Sequence, residues 1–449
     1  MASRLVVLCY DESLSLHMLA LRPRLQVIRS PCHIVVARVL VAMLCTTPAF
    51  AQDQDPSPKP PATRTETIAA ARADKVAELW PERQNAMVDL VDGLVERGLK
   101  EGLDSGKGAN GLQAIIGGMR AGQGASFGVG YRRSDLFREH LGYRGTARGT
   151  VWGGYMLDLE LNFGGLHTEH TDVRWYTKFE HSPHIDYFGA GNDTSDANRT
   201  SFRYDDFSSD FSAGFTPVRN LRFGATGGYF HASTAPSGEN GLPPIDQSFR
   251  PIELYGFGQD TSYTRVGFFG YVDWRDSQTG PRSGGLYGAL YREYWDVQRH
   301  QFAFRQTEFE AQQYFPYFNK GRVLALRGAV VLSYPTENNL VPFYLQPTLG
   351  GNDDLRGFGP YRFRDYHSVS LSVEHRWYAF SFLDMALFAD AGKVVRLTRD
   401  VDPTNLHYSG GIGFRFRIRS AIVSRIDIAA SSEGPRMIWT FSDAFSPPR

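Results

Sequence analysis

The chain has 449 residues, among them 46 glycines, 31 phenylalanines and 22 tyrosines, and its mean hydropathy is -0.32. This combination is typical neither of a helical membrane protein nor of a disordered chain. Lysines plus arginines number 48, as do aspartates plus glutamates, so the chain has no overall field that would attract nucleic acid or an acidic surface. A nucleic-acid partner is therefore not expected.

Residues 1–51 predict a signal peptide for export. A basic region, Arg22–Arg29, precedes the apolar stretch Ile34–Ala51, and Ala49–Ala51 has the small-x-small pattern of a cleavage site. A membrane anchor is the alternative, but Arg38 interrupts the stretch, which is too short for a helix of about 20 residues across roughly 30 Å of hydrocarbon. We therefore expect cleavage at the end of this segment.

All three cysteines of the chain, Cys9, Cys32 and Cys45, lie upstream of the expected cleavage site. The mature chain would therefore contain no thiol, which excludes disulfides, thiolate metal sites and a cysteine nucleophile. The absence of cysteine also suits a chain that crosses an oxidising periplasm in an unfolded state.

Two segments separate the signal peptide from the region of predicted strands. Residues 52–64 are rich in proline and polar residues and predict a linker. Residues 65–121 predict a helical segment, because apolar residues recur at spacings of three and four between Glu82 and Lys100. The apolar stripe is Met87, Leu90, Val91, Leu94, Val95 and Leu99. This stripe is expected to pack on the same protein, and its location in the periplasm or in a barrel lumen remains open.

From Gly122 onward the pattern alternates with a period of two residues, which predicts β-strands. One face is apolar and the other polar, as in Val369, Leu371, Val373 and Trp377 against Ser368, Ser370, Ser372, Glu374 and Arg376. A soluble β-sandwich also alternates. These segments, however, are longer than the usual strand of about 5–6 residues, and aromatic residues crowd their ends, as in membrane barrels.

Because lipid offers no hydrogen-bond partner, strands in a membrane must close into a barrel. About sixteen such strands fit between Gly122 and Ser442 by this pattern, with breaks rich in Gly, Asn, Asp and Pro between them. The predicted fold is therefore all-β. It is a transmembrane antiparallel β-barrel over residues 122–449, in the bacterial outer membrane, preceded by a short helical segment.

One turn-rich loop, Pro347–Asp365, has an unusual composition for a solvated loop. It contains Arg-Gly-Phe at Arg356–Phe358, after the acids Asp353–Asp354. The segments that follow contain SVEHRWY, Ser372–Tyr378, and ALFADAGKV, Ala386–Val394. Each string alone is weak evidence for a family, but their order and short spacing are specific.

These strings resemble the outer-membrane assembly and translocation superfamily that includes BamA, TamA and the two-partner secretion transporters, also called the bacterial surface antigen family. The resemblance implies a sixteen-stranded barrel whose long loop folds back into the lumen, where an arginine at its tip pairs with acids on the wall. By this resemblance the loop motif is Leu355, Arg356, Gly357 and Phe358, and the wall partners are Glu374, Arg376, Asp390 and Gly392. Leu355 replaces the valine that is commoner at the first position.

The alternation independently supports this arrangement. It places Glu374 and Arg376 on the polar face of one strand and Asp390 on the polar face of the next, so both acids are expected to point into the lumen. A loop arginine in a confined lumen needs a bidentate carboxylate. Gly357 would let the backbone turn tightly beside the ion pair. The alternative is that Arg356 is an ordinary solvated charge.

The resemblance implies a function in inserting or translocating proteins, or lipids, through a weak seam between the first and last strands. Members of the family generally carry periplasmic repeats, which residues 52–121 do not resemble, so we expect a stand-alone barrel, and client binding is in doubt. A passive channel or structural barrel that has lost assembly activity is the alternative. The expected partners are outer-membrane lipids, lipopolysaccharide and unfolded outer-membrane or secreted proteins. The usual terminal aromatic residue is displaced to Phe441 or Phe445.

Two patterns bear on an enzyme or a metal site. Gly124–Gly128 matches the G-x-S-x-G nucleophile elbow, which needs a strand, a sharp turn and a helix, whereas here the alternation continues through the motif. His167, His170, His181 and His184 cluster around a predicted hairpin and could bind zinc, but solvated histidines are commoner. A membrane lipase is a third interpretation, although no Ser–His pair stands out. We expect no enzyme activity, no cofactor and no metal.

Overall fold

The computed structural model describes most of the chain from Asn110 onward. The described residues are 64, 110–117, 119–136, 140–164, 170–237, 241–318, 320–380, 382–418, 421–441 and 445. The predicted signal peptide with its three cysteines, the linker up to residue 63, the helical stripe and His167 lie outside the described residues.

Sixteen strands form one antiparallel sheet in chain order. They are β1 (Gly111–Ile116), β2 (Ser126–Leu136), β3 (Leu141–Thr150), β4 (Tyr155–Gly164), β5 (Thr171–Tyr187), β6 (Thr200–Val218), β7 (Leu221–Pro236), β8 (Thr261–Asp273), β9 (Gly284–Asp296), β10 (Phe304–Tyr317), β11 (Arg322–Pro335), β14 (His367–Phe380), β15 (Leu383–Val395), β16 (His407–Ile418), β17 (Ala421–Ser431) and β18 (Gly434–Thr440).

The remaining elements lie in the loops. Strands β12 (Thr348–Leu349) and β13 (Phe363–Arg364) pair with each other between β11 and β14. The helical pieces among the described loops from Asn110 onward are the α-helix Ile245–Ser248 and the 3-10 turns Asp196–Asn198, Pro251–Glu253, Phe343–Leu345 and Thr398–Asp400. Within the described part of the chain, no helix is long and apolar enough to cross a membrane.

The connections differ in length at the two ends of the sheet. Long loops, including residues 188–199, 237–260 and 336–366, lie at one end, and short turns such as residues 219–220 and 381–382 lie at the other. Outer-membrane barrels have long loops outside the cell and short turns in the periplasm. We therefore call these the extracellular and the periplasmic end.

Alternation along the strands separates an outer face from a lumen face, as predicted. On β14, the side chains of Leu371 and Val373 are about half exposed, whereas Ser370, Ser372 and Glu374 are buried. Successive side chains of a strand point to opposite sides. The outer face therefore presents apolar residues to lipid, and the lumen face holds the polar ones. The predicted all-β antiparallel architecture is confirmed.

The barrel begins earlier than predicted. Strand β1 lies within residues 65–121, which were expected to be helical, and its six residues pair with β2 from Gly111 opposite Arg132 to Ile116 opposite Phe127. The sheet therefore reaches sixteen strands only with β1 included, and fifteen begin after Gly122. An edge strand of six residues shows too little alternation to be recognised from the sequence. Its extended structure depends on its pairing with β2.

Aromatic side chains fill the lumen beside β5–β10 at the extracellular end. The cluster includes Tyr187, Phe202, Tyr204, Tyr263, Tyr294 and Phe304 from the strands and Ile245, Leu254, Phe343 and Tyr344 from the loops. The ring centre of Phe343 lies 5.0 Å from that of Phe202 and 5.3 Å from that of Tyr187, both edge to face. Such pairs add to the stabilisation from apolar burial. The long loops therefore pack back into the barrel on this side.

A charge placed on the outer face should be costly in a depth-dependent way. Val373→Arg, in the middle of β14, is expected to destabilise the barrel by about 2–4 kcal/mol, whereas Phe380→Arg, at the end of the same strand, should cost about 0–1 kcal/mol. Free energies of unfolding from urea titrations in lipid vesicles would measure both. Equal costs would contradict the assignment of this face to the membrane.

Candidate functional site: the lumenal loop

The connection between β11 and β14 turns back into the lumen, and we call residues 350–362 the lumenal loop. Strands β12 and β13 pair at its base, with Thr348 opposite Arg364 and Leu349 opposite Phe363. This pairing holds the two ends of the lumenal loop side by side.

Two glycines and an aspartate shape the turn of the lumenal loop. Gly350 and Gly351 have φ values of 102° and 124°, a conformation that glycine adopts at little cost. The carboxylate of Asp354 accepts hydrogen bonds from the backbone amides of Gly350 and Leu355. The amide of Phe358 donates to the carbonyl of Leu355 at 3.0 Å. The resulting turn presents the tip arginine to the wall.

Arg356 contacts both acids that the resemblance assigned to it. Its Nε and Nη2 donate to the two carboxylate oxygens of Asp390 at 2.9 and 2.7 Å, and its backbone amide donates to Asp390 Oδ2 at 3.2 Å. Nη1 donates to Glu374 Oε2 at 2.8 Å. The guanidinium carbon lies 3.5 Å from the ring centre of Phe388, and only 1% of Arg356 is exposed. The alternative of a solvated Arg356 is therefore wrong.

Glu374 shares its carboxylate among three arginines. Its Oε1 accepts hydrogen bonds from Arg376 Nε at 2.8 Å and from Arg415 Nη2 at 2.9 Å, while Oε2 accepts the bond from Arg356. Arg415 also donates to Asp427. Charge-assisted bonds in a desolvated site are strong, and an unpaired member of such a network is costly. The predicted partner Arg376 therefore acts on the loop arginine through Glu374.

Arg425 connects this buried network to the edge of the lumenal loop. Its Nη2 donates to the carbonyl of Asn352 at 2.6 Å and to Asp353 Oδ1 at 3.1 Å. The side chain of Asp353 is 62% exposed. The fully buried charges of the network are Arg356, Arg376, Arg415, Arg425, Glu374, Asp390 and Asp427. Asp353 thus supplies the fourth negative charge from the solvated rim.

Gly357 has a different role from the predicted one. Its φ lies outside the left-handed region, so the turn does not depend on the conformational freedom of glycine here. A Cβ at Gly357 would lie 2.6 Å from Ser409 Cβ, 2.8 Å from Ser431 Cβ and 2.9 Å from the carbonyl oxygen of Ala430. Glycine is needed because the tip of the lumenal loop lies directly against β16 and β17.

Leu355 and Phe358 anchor the motif through apolar contacts. Both are buried, and they form a cluster with Leu349, Phe363 and Val394. The rings of Phe358 and Phe363 lie 5.1 Å apart, edge to face. The predicted wall partner Gly392 lies beside the base of the lumenal loop, since a Cβ there would lie 2.8 Å from the carbonyl oxygen of Val369 and 3.1 Å from Leu349 Cδ1.

The last strand also holds the lumenal loop, through a residue that the sequence analysis did not identify. Arg436 on β18 donates from Nη1 to the carbonyl oxygens of Gly351, Arg356 and Phe358 at 3.0, 3.3 and 2.7 Å. One guanidinium therefore caps three carbonyls of the turn. The only sequence signal was its polar position in the alternation, next to the exposed Met437.

A second loop arginine enters the lumen from the β1–β2 connection. Arg120 Nη2 donates to Asp206, and its backbone amide donates to Glu180 Oε1 at 3.0 Å. Lys178 Nζ lies 2.9 Å from a carboxylate oxygen of each acid. The guanidinium carbon of Arg120 lies 4.6 Å from the ring centre of Tyr204. Sequence analysis missed this anchor because it lies in the segment predicted to be helical.

The histidines and the elbow motif have ordinary surroundings. His181 Nδ1 contacts the carboxylate of Asp205, and His184 Nδ1 lies 2.8 Å from Ser237 Oγ. Across the described ranges, no group of three or more His, Cys, Asp or Glu side chains is placed to hold a metal ion. Ser126 begins β2 and continues into strand, so the strand-turn-helix geometry of an elbow is not formed there.

One family model matches a segment that contains most of the sheet and the whole lumenal loop. The model of the Omp85 superfamily domain matches residues 122–431, which is 431 minus 121, or 310 of the 449 residues. This chain belongs to the Omp85 superfamily. The match confirms the family resemblance inferred from the loop and wall strings, and the Omp85 domain runs from β2 to β17.

Solved structures are similar to this chain to different degrees. BamA from Haemophilus ducreyi lacking POTRA domains 1-3 gives a TM-score of 0.55 at 14% identity, over 74% of this chain and 69% of that chain. CdiB from Acinetobacter baumannii gives 0.42 at 11% identity, over 75% and 57%, and CdiB from Escherichia coli gives 0.46 at 12% identity, over 74% and 59%. The chain thus spans less than two thirds of either CdiB. No curated protein matches significantly.

The similarity to BamA shows the fold, and the family match indicates the compartment, which is the outer membrane. An Omp85 domain with this sixteen-stranded antiparallel sheet is an outer-membrane barrel.

Gly357→Ala should displace the lumenal loop, because the added methyl group would overlap β16 and β17. Overpacking of this kind typically costs about 1–3 kcal/mol. Gly359→Ala is the matched control, since a Cβ at Gly359 would meet no atom within 4 Å. The temperature at which the folded band disappears from gels should fall for Gly357→Ala only. An equal fall for both variants would contradict the close approach.

Asp390→Asn should loosen the lumenal loop, because the amide keeps one acceptor oxygen and no charge for Arg356. Breaking a buried ion pair typically costs on the order of 3–5 kcal/mol, and Glu374 would reduce that cost here. Trypsin cleavage within residues 350–364 should therefore become faster. Asp402→Asn is the control, since Asp402 pairs with Lys393 outside this loop. Unchanged cleavage in Asp390→Asn would refute the role of the pair.

Proposed function

We propose that this Omp85 barrel assists the insertion or translocation of proteins, or of lipids, at the outer membrane, and that the seam between β1 and β18 is its working site. Unfolded outer-membrane or secreted proteins would be the clients, and membrane lipids and lipopolysaccharide would contact the outer face. The chain would reach the membrane through a cleaved signal peptide. This function requires no catalytic residue and no cofactor.

The observation that carries the proposal is the state of the two end strands. In the described part of the chain, β1 and β18 each pair with one neighbour and not with each other. They have six and seven residues, whereas β2 and β17 each have 11. Unpaired backbone groups cost several kcal/mol each in lipid, and a free strand edge is a template for another strand. A client strand would satisfy these groups.

A cavity beside the seam gives this edge an approach from the lumen. It has a volume of about 630 Å³, and its lining includes Arg436, Met437 and Trp439 of β18, Gly122 of the β1–β2 loop and Asn352 of the lumenal loop. Met437 and Trp439 are largely exposed on the outer face. The lining therefore joins lumen-facing polar groups to lipid-facing apolar ones, which suits a segment that passes between the two environments.

The filled lumen favours assembly over the alternative of a passive channel. The aromatic cluster occupies the extracellular end beside β5–β10, and the lumenal loop lies against β14–β18. Two loops with buried arginines therefore occupy the lumen from the extracellular end. We expect wild-type protein in planar bilayers to show no large steady current.

A disulfide across the seam tests the proposal. A Cβ at Gly117, just after β1, would lie 4.0 Å from Phe441 Cβ, just after β18, which is within the range of about 3.5–4.5 Å for disulfides. Gly117→Cys with Phe441→Cys should therefore form a bond under oxidation. The oxidised double variant in vesicles should fold an added barrel client more slowly than wild type, and a reductant should restore the rate.

The two single cysteine variants are the controls, because Gly117 has a φ of 79° and any side chain there is strained. Equal client folding by the oxidised and reduced double variant would refute a working seam. A large steady current that persists in the oxidised variant would support the channel instead.

A further inference from the structure

We call residues 441–449, which follow β18, the trailing segment, and one of its described residues, Phe445, packs against Tyr314, Val323 and Ala325 at the periplasmic end. Phe441 remains 36% exposed, but Phe445 is only 1% exposed. Only three residues separate the two. Burial of a lone aromatic residue outside any strand indicates a site that is shaped to receive it.

The wall around Phe445 forms a pocket, which we call the Phe445 pocket. Its residues are Gln312 and Tyr314 of β10, Val323 and Ala325 of β11 and Arg376 of β14. The ring centre of Phe445 lies 6.3 Å from that of Tyr314 and 5.4 Å from the guanidinium carbon of Arg376. The site thus combines an apolar floor with a cation over the ring face, which attracts aromatic rings specifically.

The pocket also recognises the backbone of the trailing segment. Gln312 Nε2 donates to the carbonyl oxygen of Phe445 at 3.3 Å and to Glu310 Oε1 at 2.7 Å. Gln312 Oε1 accepts a hydrogen bond from Tyr314 at 2.9 Å. Gln312 is fully buried, so the loss of the Phe445 carbonyl would leave one of its amide hydrogens without this acceptor, which is unfavourable in a buried site.

We propose that the Phe445 pocket is a binding site for an aromatic residue of an extended peptide segment, and that the chain's own trailing segment is its resident ligand. A second peptide of the same chemistry, an aromatic residue with a free backbone carbonyl, would compete for the pocket.

Occupancy of the pocket restrains the last strand. Strands β14–β17 lie between β11 and β18 in the sheet, and four peptide steps from Phe441 to Phe445 can span at most about 13–14 Å. The end of β18 therefore cannot move far outward while Phe445 is bound. The importance of this restraint on β18 rests on the proposed function of the seam. The occupancy of the Phe445 pocket does not depend on that function.

The pocket shares a residue with the lumenal loop network. Arg376 covers the Phe445 ring and donates to Glu374, which also binds Arg356. Departure of Phe445 would remove the ring beside Arg376, whose Nε donates to Glu374 at 2.8 Å. The trailing segment and the lumenal loop are therefore linked through one carboxylate.

A labelling experiment tests occupancy. The reporter is Ser446→Cys in a chain whose three native cysteines are replaced by serine, and the readout is its rate of reaction with a water-soluble maleimide. Phe445→Ala should raise the rate severalfold, because the segment loses its anchor. Phe318→Ala is the matched control, since Phe318 is exposed at the same end of the barrel. Equal rates in the parent and in Phe445→Ala would overturn the proposal.

A wall variant and a peptide complete the test. Ala325→Phe should fill the pocket and raise the labelling rate as Phe445→Ala does. If Ala325→Phe gives no folded band on unheated gels, competition by a synthetic peptide tests the pocket instead. The synthetic peptide of residues 442–449 should raise the rate in the parent at millimolar concentration, because a tethered ligand has an effective concentration in that range. The same peptide with alanine for Phe445 should not, and equal effects of both peptides would overturn specific recognition.

The restraint on β18 has its own readout. The yield of the Gly117→Cys, Phe441→Cys disulfide should fall severalfold when Phe445→Ala is added, because the end of β18 gains freedom. An unchanged yield would overturn the restraint even where labelling shows occupancy. Neither measurement uses a client, so failure of the assembly function would be seen separately.

Discussion

The lumen of this barrel is organised around one buried guanidinium, that of Arg356. A charge out of water costs several kcal/mol unless it is paired and hydrogen-bonded, and Arg356 is fully desolvated between Asp390, Glu374 and the ring of Phe388. These three partners all lie on β14 and β15. The lumenal loop therefore has one place to dock, and the contacts of Gly357 with β16 and β17 follow from that place.

The distribution of charge explains how the protein tolerates a buried ionic network of this size. On the wall, three arginines face three acids: Arg376, Arg415, Arg425, Glu374, Asp390 and Asp427. The lumenal loop contains Asp353, Asp354, Arg356 and Arg362 and is also formally neutral. Docking of the neutral lumenal loop therefore exchanges ionic partners with the wall and brings no net charge into the lumen. An arginine that forms several carboxylate bonds suits this exchange better than a lysine, because its fork of donors reaches two acids at once.

The sequence predicted the architecture well and the details of the site unevenly. Alternation identifies which face of a strand is polar, so it assigned Glu374 and Asp390 to the lumen. Both are buried and accept hydrogen bonds from Arg356, the partner that the motif suggested. Alternation does not give depth or the distance between strands, so it did not identify Arg425 and Arg436 as contacts of the lumenal loop. The role of Gly357 depends on side chains about 50 to 75 positions later in the chain, and local sequence patterns do not predict contacts over that separation. Strand β1 was too short to give a period.

In the part of the chain that the structure describes, no ladder joins the edge strands β1 and β18, and side chains in the lumen contact the structure near each edge. Near β1, Arg120 of the following loop binds Glu180 and Asp206 on β5 and β6, and on β18 Arg436 caps the carbonyls of the lumenal loop. A closed ladder would break only with the loss of many backbone bonds in lipid, each costing several kcal/mol. Contacts between side chains and loops can instead exchange one at a time, with water as an intermediate partner. If the seam is the working site that we propose, contacts of this kind allow its release while the lumen stays filled.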